Sequence, residues 1–599
     1  MREFSVPATG TGTGPSVVNA ASWVSRNAVE HPRRAAVRRR EGDAWADIDS
    51  ATVAADVDRL AKGLIAWGVE AGDRVGLMGA TSYEWMVADF AILAVGGATV
   101  PIYETSSADQ VDWIVEDSGA VAVFAATAAH ADIVKSILED APTVREVWCI
   151  DSGAFKVLAA TGEKVAAADL VARREAVRSD DLASIIYTSG TTGRPKGCEL
   201  THGNIVSEVD TATVELDDFL NDDSSLLLFL PTAHVLGRII QFGAIATGCT
   251  VGHTSDIKNL VPLLESFKPT FVLSVPRVFE KVYNTAKQRA HADGRGKIFD
   301  LADKHAVAWS KALDSPSGPG LKLKAEHAVI SKLVFSKILA ALGGNCVAAV
   351  SGGAPLGERL GHFFRGVGVT VYEGFGLTET SAAITLNTPG AIKVGTVGKP
   401  LPGATVKVAE DGELLFTGPM VFRGYWRNDD ATKEAITDGW FHTGDIGEID
   451  ADGFVKITGR KKELIVTAGG KNVAPAVLED RARAHWLVGQ MLVVGDQQPF
   501  IAALVTIDPE SWPTWLSKNG QAADAAVADF VDDPTLLAEV QTAIDDANTQ
   551  VSHAEQIKKF IVVPEDWSEE NGQLTPSLKL KRNVVVRQNA DEIAALYAT

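Results

Sequence analysis

Apolar residues along the first part of the chain follow two periods. In "VAADVDRLAKGLIAWGV" (53–69) they recur every three to four positions, as on one face of a helix, and the pattern stops at "EAGD". "RVGLMG" (74–79) is an unbroken apolar run that predicts a buried strand, and "EWMVADFAILAVG" (84–96) predicts the next helix. Strand-like runs resume at "ASIIYTSG" (183–190), "FVLSVP" (271–276), "NCVAAVSGG" (345–353) and "VTVYEGFG" (369–376), each ending in Gly or other small residues. Strands that alternate with helices predict a mainly parallel α/β sheet, whose ligands sit beyond the carboxyl ends of the strands. After about residue 395 the texture changes. "ATVKV", "GELLFTG", "GFVKITG" and "ELIVTAGG" are short strands between Gly and Asp turns, as in a small antiparallel sheet or barrel. A smaller unit follows, with strands near 490–506 and 559–563 and a helix at 536–551.

Composition narrows the class. The 599 residues exceed one hydrophobic core and predict several packed units. A 46% hydrophobic content excludes global disorder. With 56 Lys and Arg against 77 Asp and Glu the net charge is −21, which excludes nucleic acid as the main partner. Cys149, Cys198, Cys249 and Cys346 are scattered without a C-x-x-C pair, so they form neither a zinc site nor a disulfide framework and suit a reducing cytoplasm. The N-terminus lacks the apolar segment of a signal peptide, and no apolar run reaches the ~20 residues that span a bilayer. These features predict a soluble, cytoplasmic protein that touches a membrane at most at its inner face. One segment departs from the acidic trend: 281–337 holds eleven Lys or Arg against five Asp or Glu. It is either a solvated helical face or a contact with an anionic membrane surface, where each basic group is worth about 1 kcal/mol.

Residues 185–197, "IIYTSGTTGRPKG", have the composition of a phosphate-holding loop, although Gly190, Gly193, Lys196 and Gly197 do not match Walker A. Three further segments follow in order: "VYEGFGLTET" (371–380), "GWFHTGD" (439–445) and "GRKKELIVTAGGKN" (459–472). Together the four resemble the signature set of the adenylate-forming superfamily, which contains acyl-CoA synthetases, peptide-synthetase adenylation domains and luciferases. "PTAHVLGRI", "SVPRVFEKVYN", "SGGAPL" and "GTVGKPLPG", with the long insertion before "SGGAPL", resemble long-chain fatty acyl-CoA synthetases of the actinobacterial type. The resemblance implies an α/β fold with a large AMP-binding domain (1–460) of two α/β subdomains plus a small β-barrel. It also implies a small, mobile α+β lid (461–599), hinged near Lys462, where many relatives have Asp.

The implied substrates are a fatty acid, ATP and CoA, with Mg2+. A carboxylate is a poor electrophile, so it first attacks the α-phosphate of ATP; acyl-AMP forms, pyrophosphate leaves, and the CoA thiolate then displaces AMP. The protein must align the carboxylate and neutralise charge at the α-phosphate. By resemblance, Thr188, Ser189, Gly190, Thr191 and Thr192 wrap the β- and γ-phosphates, and Lys196 adds a positive charge. Thr188 and Glu379 stand at the metal and Thr378 at the α-phosphate, unless Thr378 and Glu379 merely cap a helix. Phe375 stacks on adenine, which the backbone of Gly353, Glu373 and Gly374 lines. Asp445 accepts the ribose hydroxyls, Arg460 reaches ribose or phosphate, and Lys462 follows as hinge and nucleotide neighbour. His234 matches a position near the reacting carboxylate, with a core histidine as the alternative. "TPSLKLKR" (575–582) aligns with a Ser-Gly-Lys-Ile-x-Arg segment and makes Lys579 the ammonium bridging carboxylate and α-phosphate; Leu578 replaces the Gly, and Lys581 lies two residues on.

Lys579 would block the thiol, so the resemblance implies that the lid rotates between half-reactions. "TAGGKN" (467–472) then faces the site, with Gly469 and Gly470 leaving room for pantetheine and Lys471 meeting CoA phosphate or solvent. Arg238 stands where some bacterial relatives carry a gating Trp. The run 226–248 is either an acyl-tunnel wall or a buried core helix. An acyl-AMP ligase serving a carrier protein is the rival enzyme; a non-catalytic sensor would lack Lys196, Glu379 or Lys579. Chain length, metabolic direction and oligomeric state, a homodimer included, stay open.

Overall fold

The computed structural model describes residues 3–8, 19–188, 194–575 and 579–598. Ser189, Gly190, Thr191 and Thr192 of the phosphate loop lie outside the described residues, as does Leu578 beside Lys579.

The run "ASIIYTSG" supplies strand β1 (Leu182–Thr188). Ala183 and Ile186 pack into one hydrophobic cluster while Ile185 and Tyr187 pack into another, which is why the run is apolar without alternation. Strand β2 (Lys196–Thr201) returns antiparallel beside it, with Thr188 across from Lys196, so the two ends of the phosphate loop meet in register. Beyond β1 the sheet continues through Ala98–Ile102, Arg74–Met78, Ala122–Ala125 and Glu146–Cys149, all parallel. The helix expected over 53–69 spans Ser50–Trp67: Asp49 accepts the Thr52 N–H at its start, and Gly68 ends it in the left-handed conformation.

A second sheet carries Ser225–Leu228, Thr250–His253, Ala35–Glu41 and Ala44–Asp49, with helix α1 (Val235–Thr247) linking its first two strands. In a third sheet Phe271–Ser274, Ala348–Ser351 and strand β3 (Thr370–Phe375) run parallel. Between its first two strands lies the long insertion, which folds into helices α2 (Pro276–Ala292), α3 (Gly296–Leu313) and α4 (Leu321–Ile330).

The short strands after residue 395 build a six-stranded sheet with Glu3–Ser5 at one edge, including β4 (Trp440–Ile449) and β5 (Val455–Arg460). Both Ile436–Thr437 and Val455–Arg460 pair with Trp440–Ile449, at the side of the sheet away from Glu3–Ser5, which gives the small antiparallel β unit that the short strands predict. From Ile465 onward a separate hydrophobic cluster fills a smaller lobe, built on the strands Val488–Val494, Ile501–Ile507 and Ile557–Val562.

The start of the basic segment faces this smaller lobe. Lys281 Nζ pairs with Glu510 at 2.7 Å, and Gln288 Nε2 donates to Ser511 Oγ at 2.6 Å. The expectation of a membrane contact over all of 281–337 is therefore too broad: α2 is occupied by protein. Among the described residues, no helix is long and apolar enough to cross a membrane.

Candidate active site

The candidate residues gather at the carboxyl ends of β1 and β3, between the two lobes. At the phosphate end of this group, the Thr188 hydroxyl donates to the Lys196 carbonyl at 3.5 Å, and Lys196 Nζ lies 4.9 Å from the Tyr425 ring centroid. Tyr425 in turn donates its hydroxyl to Glu379 Oε1 at 2.8 Å. Thr188 and Lys196, at the two ends of the phosphate loop, thus share one small volume with the distant Glu379, and Tyr425 orients the carboxylate.

A tight turn after β3 presents Glu379. A Cβ on Gly376 would fall 1.4 Å from the Ala382 carbonyl oxygen, so only glycine permits this approach. Ala382 itself holds φ at 114°, a strained value for a residue with a side chain and a frequent mark of functional turns. The Thr380 hydroxyl caps the turn by accepting the Leu377 N–H at 2.8 Å. Capping therefore falls to Thr380, and Thr378 and Glu379 are left to other work.

The nucleoside end is formed by β3, β4 and β5. Asp445 and Arg460 are cross-strand partners, with Arg460 Nε 3.0 Å from Asp445 Oδ1. Asp445 is only 2% exposed, and its Oδ2 is buried without a hydrogen-bond partner. An ionised oxygen in that condition is costly unless a ligand donates to it. Burial raises the Asp445 carboxyl, and Arg460 works against that shift. Gly374 and Phe375 lie in β3 opposite Leu386 and Thr385. Gly353 follows the neighbouring parallel strand at φ 84°, a left-handed conformation that suits glycine. The Glu373 carboxylate accepts the Leu356 N–H at 3.2 Å, while burial pushes its pKa up to about 7.

The carboxylate end depends on α1. His234 is the N-cap of this helix, and its Nδ1 accepts the Leu236 N–H at 3.1 Å. Gly237 allows the arrangement, because a Cβ there would sit 2.4 Å from the Pro231 carbonyl oxygen. Burial, with the nearby Lys579 charge, lowers the His234 pKa to about 3, so the ring is neutral with its proton on Nε2.

Lys579 comes from the other lobe. Its surface is exposed, yet protein surrounds it densely: desolvation and Arg460 lower its pKa, while Asp445, Glu379 and Glu463 oppose that. Its segment is pinned on both sides. The Thr575 N–H donates to the Lys579 carbonyl at 2.8 Å, and Arg582 makes a forked pair with Glu479 at 2.7 and 2.8 Å. The Glu479–Arg582 tie has no signal in the sequence beyond the matched arginine itself, and Tyr425 has none.

Some expected residues lie elsewhere. Gly469, Gly470 and Lys471 form an exposed hairpin turn, with Lys471 3.5 Å from Glu555 and Ala468 bonded to Gln498, all within the smaller lobe. Lys462 is exposed in the 3-10 turn Lys461–Glu463 between the lobes. Arg238 does not line an opening. It is 2% exposed and forked onto Asp89 at 2.8 and 2.5 Å, which makes its face of α1 a core face.

Comparison with known proteins agrees with this geometry. Residues 24–426 match the family described as "AMP-binding enzyme", and 462–599 match "AMP-binding enzyme C-terminal domain". The chain is 54% identical over 600 residues to the long-chain-fatty-acid–CoA ligase FadD15 of Mycobacterium tuberculosis, covering 100% of both. It is 31% identical over 582 residues to the peroxisomal long chain acyl-CoA synthetase 7 of Arabidopsis thaliana, covering 91% of this chain and 81% of that one. The A-PCP didomain of a carboxylic acid reductase from Segniliparus rugosus, solved with AMP, superposes with a TM-score of 0.74 at 22% identity, covering 98% of this chain and 83% of that one.

Proposed function

Because this chain belongs to the AMP-binding enzyme family, we propose that it activates long-chain fatty acids with ATP and transfers them to CoA. The products are acyl-CoA, AMP and pyrophosphate. The observation that carries this reading is Lys579 of the smaller lobe held in the large lobe's cleft, among Asp445, Arg460, Glu379 and His234.

The first step is in-line attack of a fatty acid carboxylate on the α-phosphate. The neutral His234 ring donates its Nε2–H to the carboxylate and holds it in line for attack. Lys579 places a positive charge between carboxylate and α-phosphate, where negative charge accumulates in the transition state. Thr378 donates to the α-phosphate. The loop Thr188–Thr192 and Lys196 receive the departing pyrophosphate. Asp445, whose unpartnered Oδ2 needs a donor, takes the ribose hydroxyls beside Arg460, and Phe375 covers adenine against the backbone of Gly353, Glu373 and Gly374.

Among the described residues, no cluster of three or more His, Cys, Asp or Glu is placed to hold a metal. One carboxylate and one hydroxyl, Glu379 and Thr188, suit Mg2+ bound mainly through phosphate oxygens and water, where it would neutralise phosphate charge. For the second step the smaller lobe turns about Lys462, withdraws Lys579 and presents Gly469, Gly470 and Lys471 to CoA. Such a protein works in the cytoplasm, at the inner face of the membrane from which its substrate comes.

The test is Lys579→Ala. Pyrophosphate release from ATP and palmitate falls at least about 100-fold, while thioester formation from supplied palmitoyl-AMP and CoA changes only a few-fold. Full adenylation activity in the variant, or ADP as the product of the parent, overturns the proposal. Transfer to a carrier protein in preference to CoA would make the chain an acyl-AMP ligase.

A further inference from the structure

The outer face of the insertion is unlike the rest of the surface. Helix α4 buries none of its residues. Leu321 is 86% exposed, and Leu301 and Leu333 are each 64% exposed. Six of the fifteen strongly exposed large aliphatic residues among the described ones fall between Ile298 and Leu333. That concentration differs from the single exposed side chains expected on any soluble surface.

The packing brings these residues to one side. The short link from Leu313 to Leu321, with His327 stacked on Trp309 at 3.8 Å and beside His305 at 5.5 Å, makes α3 and α4 antiparallel neighbours. Ile298 and Leu301 continue the α3 stripe that carries His305 and Trp309, because positions three, four and seven apart share a helix face. They therefore lie beside the part of the chain that carries Val329 and Leu333.

Charge accompanies this apolar surface. Lys297, Lys304, Lys324, Lys332 and Lys337 are exposed and have no carboxylate within ion-pair distance among the described residues, whereas Lys281 on α2 pairs with Glu510. In a chain of net charge −21 this is a basic island, and a negatively charged surface is repelled elsewhere. The chemistry is Leu, Val and Lys. Lysine is depleted at protein–protein interfaces, which favour aromatic residues and Arg, while its long stem lets an ammonium reach headgroups above buried aliphatic groups.

We propose that the outer face of α3 and α4 docks on an anionic lipid bilayer, with the aliphatic side chains entering the headgroup boundary and the lysines meeting lipid phosphates. This deepens the fatty-acid reading and rests on it, since a long-chain acid resides in the bilayer and a docked enzyme meets it there. The bilayer is specified by charge complementarity, and α2 is excluded because the smaller lobe covers it.

The full chain is tested by co-sedimentation with phosphatidylcholine vesicles and with vesicles containing phosphatidylglycerol. The parent binds the anionic vesicles, less as salt rises, and binds pure phosphatidylcholine weakly. The variant Lys304→Glu/Lys324→Glu/Lys332→Glu partitions about 100-fold less or worse. The variant Leu321→Ser/Val329→Ser/Leu333→Ser partitions roughly tenfold less. Both variants retain parental pyrophosphate release with palmitate delivered on albumin, which shows that they fold, and lose rate when palmitate is presented in anionic vesicles. Equal partitioning of parent and variants, or no binding of the parent to anionic vesicles, overturns the proposal. A dimer in sedimentation velocity that the serine variant dissociates also overturns it and assigns the face to a second copy. Absence of activity in the parent with albumin-delivered palmitate would instead overturn the fatty-acid reading, whatever the vesicles show.

Discussion

His234 caps a helix with one ring nitrogen, and the proposed function gives the other nitrogen a second task. Nδ1 accepts the Leu236 N–H and starts α1, so Nε2 carries the proton, and on the proposed reading it offers that donor to the substrate carboxylate. With a pKa lowered to about 3 by burial, the ring does not titrate between pH 5 and 8 and adds no inflection to the adenylation profile there. Two substitutions separate the roles. In His234→Asn a short side-chain oxygen still caps the helix, so stability is retained while kcat falls sharply. In His234→Gln the longer amide replaces the Nε2 donor, so more activity survives, but the cap is lost at about 1 kcal/mol. Thermal unfolding and pyrophosphate release read the two effects; equal losses of both in both variants would contradict the division. The motif "PTAHVLG" matched a site histidine and left a core histidine as the alternative. A tautomer depends on a backbone N–H two residues away in a conformation that residue types do not spell out.

At the scale of elements, the strands and helices with a clear period were legible, because buried strands need unbroken apolar runs and surface helices need stripes. The insertion was legible as helical but not in its boundaries. Its apolar residues stand at helical spacing and helices form there, with Phe299, Ala302, Ala306 and Ser310 on the buried side of α3, but the ends of α3 and α4 carry no side-chain caps that would mark their boundaries. The role of Arg238 was also hidden. Arg238 joins α1 to the helix Tyr83–Ala94 through Asp89, and to β1 through the Ser184 hydroxyl. Thr99 closes the network by donating to Asp89 at 2.7 Å, and Ser184 donates to the Thr99 carbonyl at 2.7 Å. One buried cation thus ties the helix that begins at His234 to the strand that ends at Thr188. Removing one partner leaves an uncompensated buried charge. Asp89→Ala or Arg238→Met is therefore expected to destabilise the large lobe by about 3–5 kcal/mol, whereas Asp89→Leu with Arg238→Met recovers most of the loss. Urea unfolding of the three variants decides it; strict additivity of the single losses would show that the pair is not a unit.

At the scale of the whole molecule, resemblance supplied two lobes, but which faces meet depends on pairs some hundred or more residues apart that no local pattern reveals. In this arrangement carboxyl groups of the two lobes interact across the cleft. Glu373 of the large lobe is raised to about 7 by burial, with Asp480 of the smaller lobe adding to the shift. Asp480 is raised to about 6 by burial, with Glu479 and Glu280 adding and Arg483 opposing. Both acids hold protons more tightly here than they would in water, where a carboxyl titrates near 4. The part of each shift that comes from the facing lobe, Asp480 acting on Glu373 and Glu280 on Asp480, favours closure while the acids are protonated and is lost as pH rises through 6 to 7. The closed fraction, read from the radius of gyration in X-ray scattering, should fall between pH 5.5 and 8. Glu373→Gln with Asp480→Asn should flatten that dependence while leaving Lys281–Glu510 in place. If the double variant keeps the parental slope, closure responds to other groups. If the slope flattens, adenylation and thioester formation should also separate in pH preference, with the first half-reaction favoured at the acid end because it needs Lys579 inside the cleft.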